Sequence, residues 1–375
     1  MSLRKLVLWL LVLLYLPVTV AGNTIVLKSK ELTDLVGVSS FIVNSKGEIF
    51  LFSPRVAKVF KFKPDGTFEK SFCQKGQGPG DIARVFVMYL NPANDYLYLP
   101  EYFSMAKGKI TIYDSKGNFV DLLKPELSIN DMDRVAMIIF LKDNSYIIRT
   151  SDRVDWKPAG KFFITQVEEL IRYFGPDGKL KAQIFKTCLD SELSNAVRWG
   201  GPTIPFTPSL AINLTPEEQI AIAKTDENFI SFYDRSGKKV RTITLAIPRE
   251  KLGDKEFEKA KELKIEEIKH YNDERMLMLA KNMIRLEYKP IFKMQFFTPD
   301  YIVLSRIIEE DESGYTRKTQ LMFFDWQGRK KGEKVIAGRV VNREKDLAMI
   351  IAYDDDGNES YRIEPGVFSL DTGKK

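Results

Sequence analysis

Tyr113-Asp114-Ser115-Lys116-Gly117-Asn118 decides the fold, because it is one of five copies of the same punctuation. Each copy closes an extended, aromatic-rich run, turns at a glycine and enters another extended run. The others are Phe62-Lys63-Pro64-Asp65-Gly66-Thr67, Phe174-Gly175-Pro176-Asp177-Gly178-Lys179, Tyr233-Asp234-Arg235-Ser236-Gly237-Lys238 and Phe324-Asp325-Trp326-Gln327-Gly328-Arg329. Asp or Pro favours the opening of such a turn, and Gly supplies the positive φ that lets a short hairpin close. One copy implies a hairpin; five imply a repeat.

Working outward, three strand-like runs precede each turn and a fourth follows it. In the first unit these are 38–43, 48–52, 57–62 and 67–72; in the second, 85–90, 95–99, 109–113 and 118–123. Further units span 135–186, 209–246 and 291–336. Four antiparallel strands per repeat is the blade of a β-propeller. A sixth unit starting at Gly338 has room for only three strands, whereas 23–28 is an orphan strand-like run. A ring of sheets loses its edges only where its ends meet. The expectation is therefore an all-β, six-bladed β-propeller over residues 22–375, with strand 23–28 supplying the outer strand of the last blade. Residues 248–290 interrupt the pattern. Within them, 254–285 holds no Gly or Pro and carries Phe257, Leu263, Ile268 and Met276 at helical intervals. Two helices, broken near Tyr271-Asn272-Asp273, are expected between the fourth and fifth blades.

The N-terminus reads as an export signal over residues 1–21. Arg4 and Lys5 precede the apolar run 6–16, Pro17 breaks it, and Thr19-Val20-Ala21 offers small residues before Gly22. The run is short for a bilayer span. The expected location is periplasmic or secreted, with no stable membrane insertion after cleavage. The alternative is an uncleaved signal anchor. The formal charge of +6 includes Arg4 and Lys5, and charges of both signs are interspersed along the chain. Such a modest surplus favours solubility and does not point to nucleic acid.

The segment Lys75-Gly76-Gln77-Gly78-Pro79-Gly80-Asp81-Ile82, followed by Tyr96-Leu97-Tyr98-Leu99, resembles the NHL-type repeat. More closely, it resembles the bacterial exported "6-bladed beta-propeller" family, whose Gly-x-Gly-Pro-Gly-Glu-Phe box follows an Asp-Gly-x-Phe hairpin. Asp81-Ile82 stands here in place of Glu-Phe, and the box occurs once. The resemblance implies the fold and an envelope location but no settled chemistry.

Other motifs carry little chemistry. Gly76, Gly78 and Gly80 do not make a dinucleotide cradle, because Pro79 intervenes and a strand follows where a helix N-terminus is needed. Asp354-Asp355-Asp356-Gly357-Asn358-Glu359 fails as a calcium loop: aligning its glycine puts Ala352 and Ile363 at ligand positions. With Glu309-Glu310-Asp311-Glu312-Ser313-Gly314 it is expected to form an acidic rim. The single histidine, His270, cannot build a multi-histidine zinc site, and no Gly-x-Ser-x-Gly elbow is present. No catalytic residue, metal ligand or cofactor is assigned. Cys73 and Cys188, placed after the fourth strands of the first and third units, are expected to stay unpaired because a whole blade separates them.

In a propeller the connections between second and third strands, and those between blades, share one face. Here that face receives the long connections 100–109, 150–168, 187–208 and 248–290. Long loops on a rigid ring are where binding residues gather. Arg55, Tyr102, Phe103, Arg153, Trp156, Arg198 and Trp199 are the candidate contacts, suited to a protein, peptide or glycan partner. The leading expectation is a monomeric, non-catalytic binding or scaffold propeller. The alternative is a calcium-dependent lactonase or esterase propeller, for which Asp81, Asp131 and Asp133 are the candidate ligands.

Overall fold

The computed structural model describes residues 25–27, 38–76, 78–82, 85, 87–101, 109–127, 134–159, 162–194, 204, 206–269, 273–310, 316–344, 347–353 and 359–370. These residues are mostly β, in four-stranded antiparallel sheets of propeller-like arrangement. In chain order, β1 is Ile25–Val26. The first sheet is β2 (Ser40–Val43), β3 (Ile49–Ser53), β4 (Lys58–Phe62) and β5 (Phe68–Phe72). The second is β6 (Tyr89–Asn91), β7 (Tyr96–Pro100), β8 (Ile110–Tyr113) and β9 (Phe119–Leu123). The third is β10 (Arg134–Phe140), β11 (Tyr146–Ala159), β12 (Phe162–Phe174) and β13 (Leu180–Ser194). The fourth is β14 (Leu210–Leu214), β15 (Ile220–Lys224), β16 (Phe229–Tyr233) and β17 (Lys239–Thr244). After β18 (Glu250–Lys251), α1 (Asp254–Lys269), α2 (Glu274–Lys281) and β19 (Tyr288–Lys289) comes the fifth sheet. It comprises β20 (Met294–Phe297), β21 (Ile302–Glu310), β22 (Thr316–Phe324) and β23 (Lys330–Ala337). The sixth is β24 (Arg339–Glu344), β25 (Leu347–Tyr353) and β26 (Glu359–Pro365), with β1 added outside β26 in the register Ile25↔Ile363 and Val26↔Arg362.

Burial follows strand position. All five residues of β3 are buried, because a second strand is covered on both faces by neighbouring sheets and therefore reads as a continuous apolar run. Outer strands such as β9 and β17 expose most of their residues. Buried apolar clusters lie between consecutive sheets. Ile42 and Phe52 of the first meet Leu97 and Leu99 of the second, and Phe296 and Val303 of the fifth meet Val340 and Ile350 of the sixth. One cluster joins Phe41, Leu51 and Phe60 of the first sheet to Met349 and Ile363 of the sixth, together with Leu27 just after β1.

The five repeated turns share one geometry. Gly66, Gly117, Gly178, Gly237 and Gly328 have φ between +79° and +85°. Gly328 N–H donates to Asp325 O at 2.9 Å, and the ladder shifts register between Phe323 and Phe324, which marks a type I turn closed by a bulge. At Gly328 a Cβ would also come within 2.0 Å of Thr244 O on the preceding sheet, so glycine is required twice over.

Two sequence expectations are corrected. Most of 150–168 is not a loop but the ends of β11 and β12, and β11 alone runs for 14 residues. Likewise, 187–194 is strand, so Cys188 lies inside β13, opposite Glu168, and not after it. Glu309 and Glu310 end β21, while the remainder of the expected acidic rim, 311–314 and 354–358, lies outside the described residues. The signal segment 1–21, His270 and the expected helix break at 271–272 also lie outside them. Cys73 and Cys188 are both free thiols, and burial pushes the Cys73 thiol up to about 12. Among the described residues no helix is long and apolar enough to cross a membrane.

Candidate functional site

The insertion between the fourth and fifth sheets is held from two sides. Antiparallel pairing of β18 with β19 closes its base, in the register Glu250↔Lys289 and Lys251↔Tyr288. Asp273 caps α2 by accepting a hydrogen bond from Met276 N–H at 2.9 Å. Leu279 of α2 is fully buried against Phe162 and Ile164 of β12 and against Ile204. Phe257 and Ile268 of α1 face Ala280 and Met283. The helices therefore pack on the extended hairpin of the third sheet while their base joins the fourth and fifth.

Beneath this insertion lies a cavity of about 550 Å³, walled by Phe206, Thr207, Glu250, Lys289, Arg306 and Ile308, among others. Four of its charged groups, Glu250, Glu256, Lys289 and Arg306, are tied to one another. Arg306 donates through Nη1 to Glu250 and through Nη2 to Gln320 Oε1 at 3.0 Å. Lys289 Nζ lies 3.2 Å from Glu250 Oε2 and 2.9 Å from Glu256 Oε1. Cross-strand pairing of β18 with β19 sets Glu250 opposite Lys289. Burial opposes the charge of Glu250, but hydrogen bonds from Arg306 and Lys289 outweigh it and hold the carboxyl below its ordinary range. The same balance, won by Glu256 and Glu250, raises Lys289.

A second cavity, of about 640 Å³, sits among the first strands of five sheets and touches Ser40, Tyr89, Ile138, Ile212 and Gln295. The charged residues lining it are Arg149 and Lys293. Arg149 grips Glu169 with Nε and Nη2, at 2.7 and 2.8 Å, and gives Nη1 to Leu210 O at 2.9 Å. Gln295 donates from Nε2 to Ala211 O and Ala221 O. Ser209 and Lys293 line both cavities, so the two adjoin.

The sequence-derived contacts are described in part. Arg55 is exposed in the turn between β3 and β4. Arg153 and Trp156 belong to the β11 extension, opposite Val167 and Thr165. Tyr102, Phe103, Arg198 and Trp199 lie outside the described residues, as do Asp131 and Asp133. Asp81 has another occupation. Its carboxylate accepts from Gln74 Nε2 and from Gly78 N–H, both at 2.8 Å, and these two bonds lower its pKa. A Cβ at Gly76 would come within 2.3 Å of that carboxylate, so the glycines of this connector wrap a side chain of their own loop. Glu250, Lys289, Lys293 and Arg306 escaped sequence reasoning. In a chain with 29% charged residues, four charges spread over 250–306 give no local pattern.

No protein-family model matches the chain, and no curated protein matches its sequence. Solved structures do. A member of the DUF4221 family from Bacteroides vulgatus aligns over 92% of this chain and 95% of its own, with a TM-score of 0.51 and 8% identity. A protein from Bacteroides fragilis described as exported aligns over 92% and 94%, with a TM-score of 0.47 and 10% identity. Virginiamycin B lyase from Staphylococcus aureus aligns over 92% and 98%, with a TM-score of 0.43 and 10% identity. Likeness at such identities concerns the fold alone.

Proposed function

We propose that the chain is an exported six-bladed propeller that binds a protein, peptide or glycan at its long-connection face without transforming it. The observation that carries this reading is the cavity under the insertion. A general acid or base works best with its pKa near the operating pH. Here ion pairing moves Glu250 down and Lys289 up, away from neutrality. Locked, opposed charges beside apolar walls suit recognition. The cyclic series of inter-sheet clusters supports a closed ring, which gives the long connections a rigid platform. The apolar run 6–16 after Arg4 and Lys5 supports export to the periplasm or beyond. Arg55, Tyr102, Phe103, Arg153, Trp156, Arg198 and Trp199 are the proposed contacts of the long-connection face, with no cofactor.

The test is to probe the mature protein against peptide and glycan arrays, beside an Ile308→Arg variant that places a charge in the exposed cavity wall. Specific binders weakened about tenfold or more by that variant are expected. Calcium-dependent turnover of a chromogenic lactone or ester, with no binder on either array, would overturn the reading.

A further inference from the structure

We propose that the outer edge of the third, fourth and fifth sheets is a second binding surface, whose ligand is a flexible acidic polysaccharide held by its charged groups. It adds to the binding reading above and does not depend on it, since none of its residues lines either cavity. Each of these sheets presents its last turn and outer strand at this edge, in segments 174–187, 233–244 and 324–337. Together the segments carry eleven Lys and Arg against four Asp and Glu. The equivalent segments of the first two sheets, 62–73 and 113–124, each carry two of either sign. Charge on an edge strand blocks sheet-to-sheet pairing, but the balanced edges of the first two sheets meet that need without a surplus. Ion pairs do not cancel the surplus. Six of the cations pair with carboxylates, and three of those carboxylates, Glu168, Asp143 and Glu218, come from outside the segments. With these included, cations still lead eleven to seven. Lys179, Lys238, Lys239, Arg241 and Lys334 form no ion pair among the described residues. The acid left over, Asp234, is turned onto the amides of its own loop.

The three segments form one band. A Cβ at Gly237 would come within 2.8 Å of Gln183 O on β13, so the turn of the fourth sheet rests on the outer strand of the third. In the same way Gly328 O of the fifth sheet accepts from Ala246 N–H at 2.9 Å, just after β17. Charge of one sign along such a band attracts a polyanion and displaces its counterions. Outer strands of successive propeller blades face outward in different directions. A flat bilayer therefore meets them one at a time, whereas a flexible chain follows all three. The segments also expose only one large apolar side chain each, Leu180, Val240 and Val335, too few for insertion into a membrane. Single-stranded nucleic acid needs open aromatic rings on which its bases stack. Here Phe174 and Phe324 are fully buried, Phe185 and Tyr233 pack edge to face at 5.7 Å, and Trp326 is stacked on Phe297 at 5.7 Å. Four of the five unpaired cations are lysines, point charges without a fixed fork, which suit charges spaced along a polysaccharide.

The experiment measures binding of the mature protein to polygalacturonate and to its methyl ester, which keeps the sugar backbone and removes the charge. Two variants lose four charges each. One is Lys179→Gln, Lys238→Gln, Lys239→Gln, Lys334→Gln on the proposed edge; the other is Lys46→Gln, Lys63→Gln, Lys116→Gln, Lys124→Gln on the first two sheets. Expected is saturable binding of the acid form, weakened about tenfold or more by esterification and by the first variant, and nearly unchanged by the second. Unchanged thermal unfolding of the first variant establishes that the loss is local. Equal losses in the two variants would reduce the effect to net charge and overturn the assignment, as would equal affinity for acid and ester or no binding of polygalacturonate. Tighter binding of phosphatidylglycerol vesicles or single-stranded poly-dT, lost in the first variant, would replace the polysaccharide with a membrane or a nucleic acid. Ile308→Arg, which alters the cavity, should leave polygalacturonate binding intact, so this proposal and the cavity reading fail separately.

Discussion

At the residue scale, the repeated turns are where local chemistry is most legible. Asp234 Oδ1 accepts from Ser236 Oγ at 2.6 Å and from the backbone N–H groups of Ser236 and Lys238, which lowers its pKa. Asp114 is lowered against the effect of burial by the amides of Asn118 and Lys116. A carboxyl whose folded pKa is depressed stabilises the fold above its unfolded value near 4, and that stability disappears as pH falls through the folded value. Stability against thermal unfolding should therefore fall below about pH 4, and an Asp114→Asn, Asp234→Asn, Asp325→Asn variant should lose part of that acid sensitivity. Parallel pH profiles for the variant and parent would contradict the assignment. Glu169 makes a different case. It is 4% exposed, held in a fork by Arg149, and nothing in its sequence neighbourhood announces the pair. Glu169→Gln leaves a guanidinium largely buried and uncompensated, at a cost of about 3 kcal/mol, read as a lower denaturant midpoint.

At the scale of elements, strands and turns were readable because each depends on near neighbours in the chain. Phe62 to Thr67 carries its own turn chemistry, and β3 its own apolar run. The extension of β11 and β12 was not readable. Arg153-Val154-Asp155-Trp156-Lys157-Pro158 has loop-like polarity, yet it pairs with β12, whose Phe162 and Ile164 are covered by α2. That support comes from residues more than a hundred positions away, beyond any local pattern. It yields a prediction. Leu279→Ala should cost about 2–4 kcal/mol of local stability, and amide hydrogen exchange should rise together in α2 and at the end of β12. Faster exchange confined to α2 would show that the hairpin stands without the helix. The β18–β19 ribbon was missed for a similar reason, since Glu250–Lys251 and Tyr288–Lys289 are two-residue strands whose partners lie across the helices.

At the scale of the molecule, the account turns on how the sheets are joined. The sixth sheet takes its outer strand from Ile25–Val26, and a shared core of Phe41, Leu51, Met349 and Ile363 bridges the first and last sheets. A closed ring of sheets removes exposed strand edges and fixes the spacing of the connections around it. The repeat made the sheets legible, and the three-stranded remainder at the C-terminus made the need for a partner strand legible. The cavity under the insertion was not, because it exists only where residues 206–209, Thr225, 250–256 and 289–308, far apart in the chain, converge. Closure is tested most directly by a disulfide trap. In a Cys73→Ala, Cys188→Ser background, Ile25→Cys with Ile363→Cys places thiols on directly opposed residues of β1 and β26. Mild oxidation should give a near-quantitative 25–363 cross-link by peptide mapping, with a raised unfolding temperature. Thiols that remain free under the same conditions, or that join only between molecules, would contradict the closed ring.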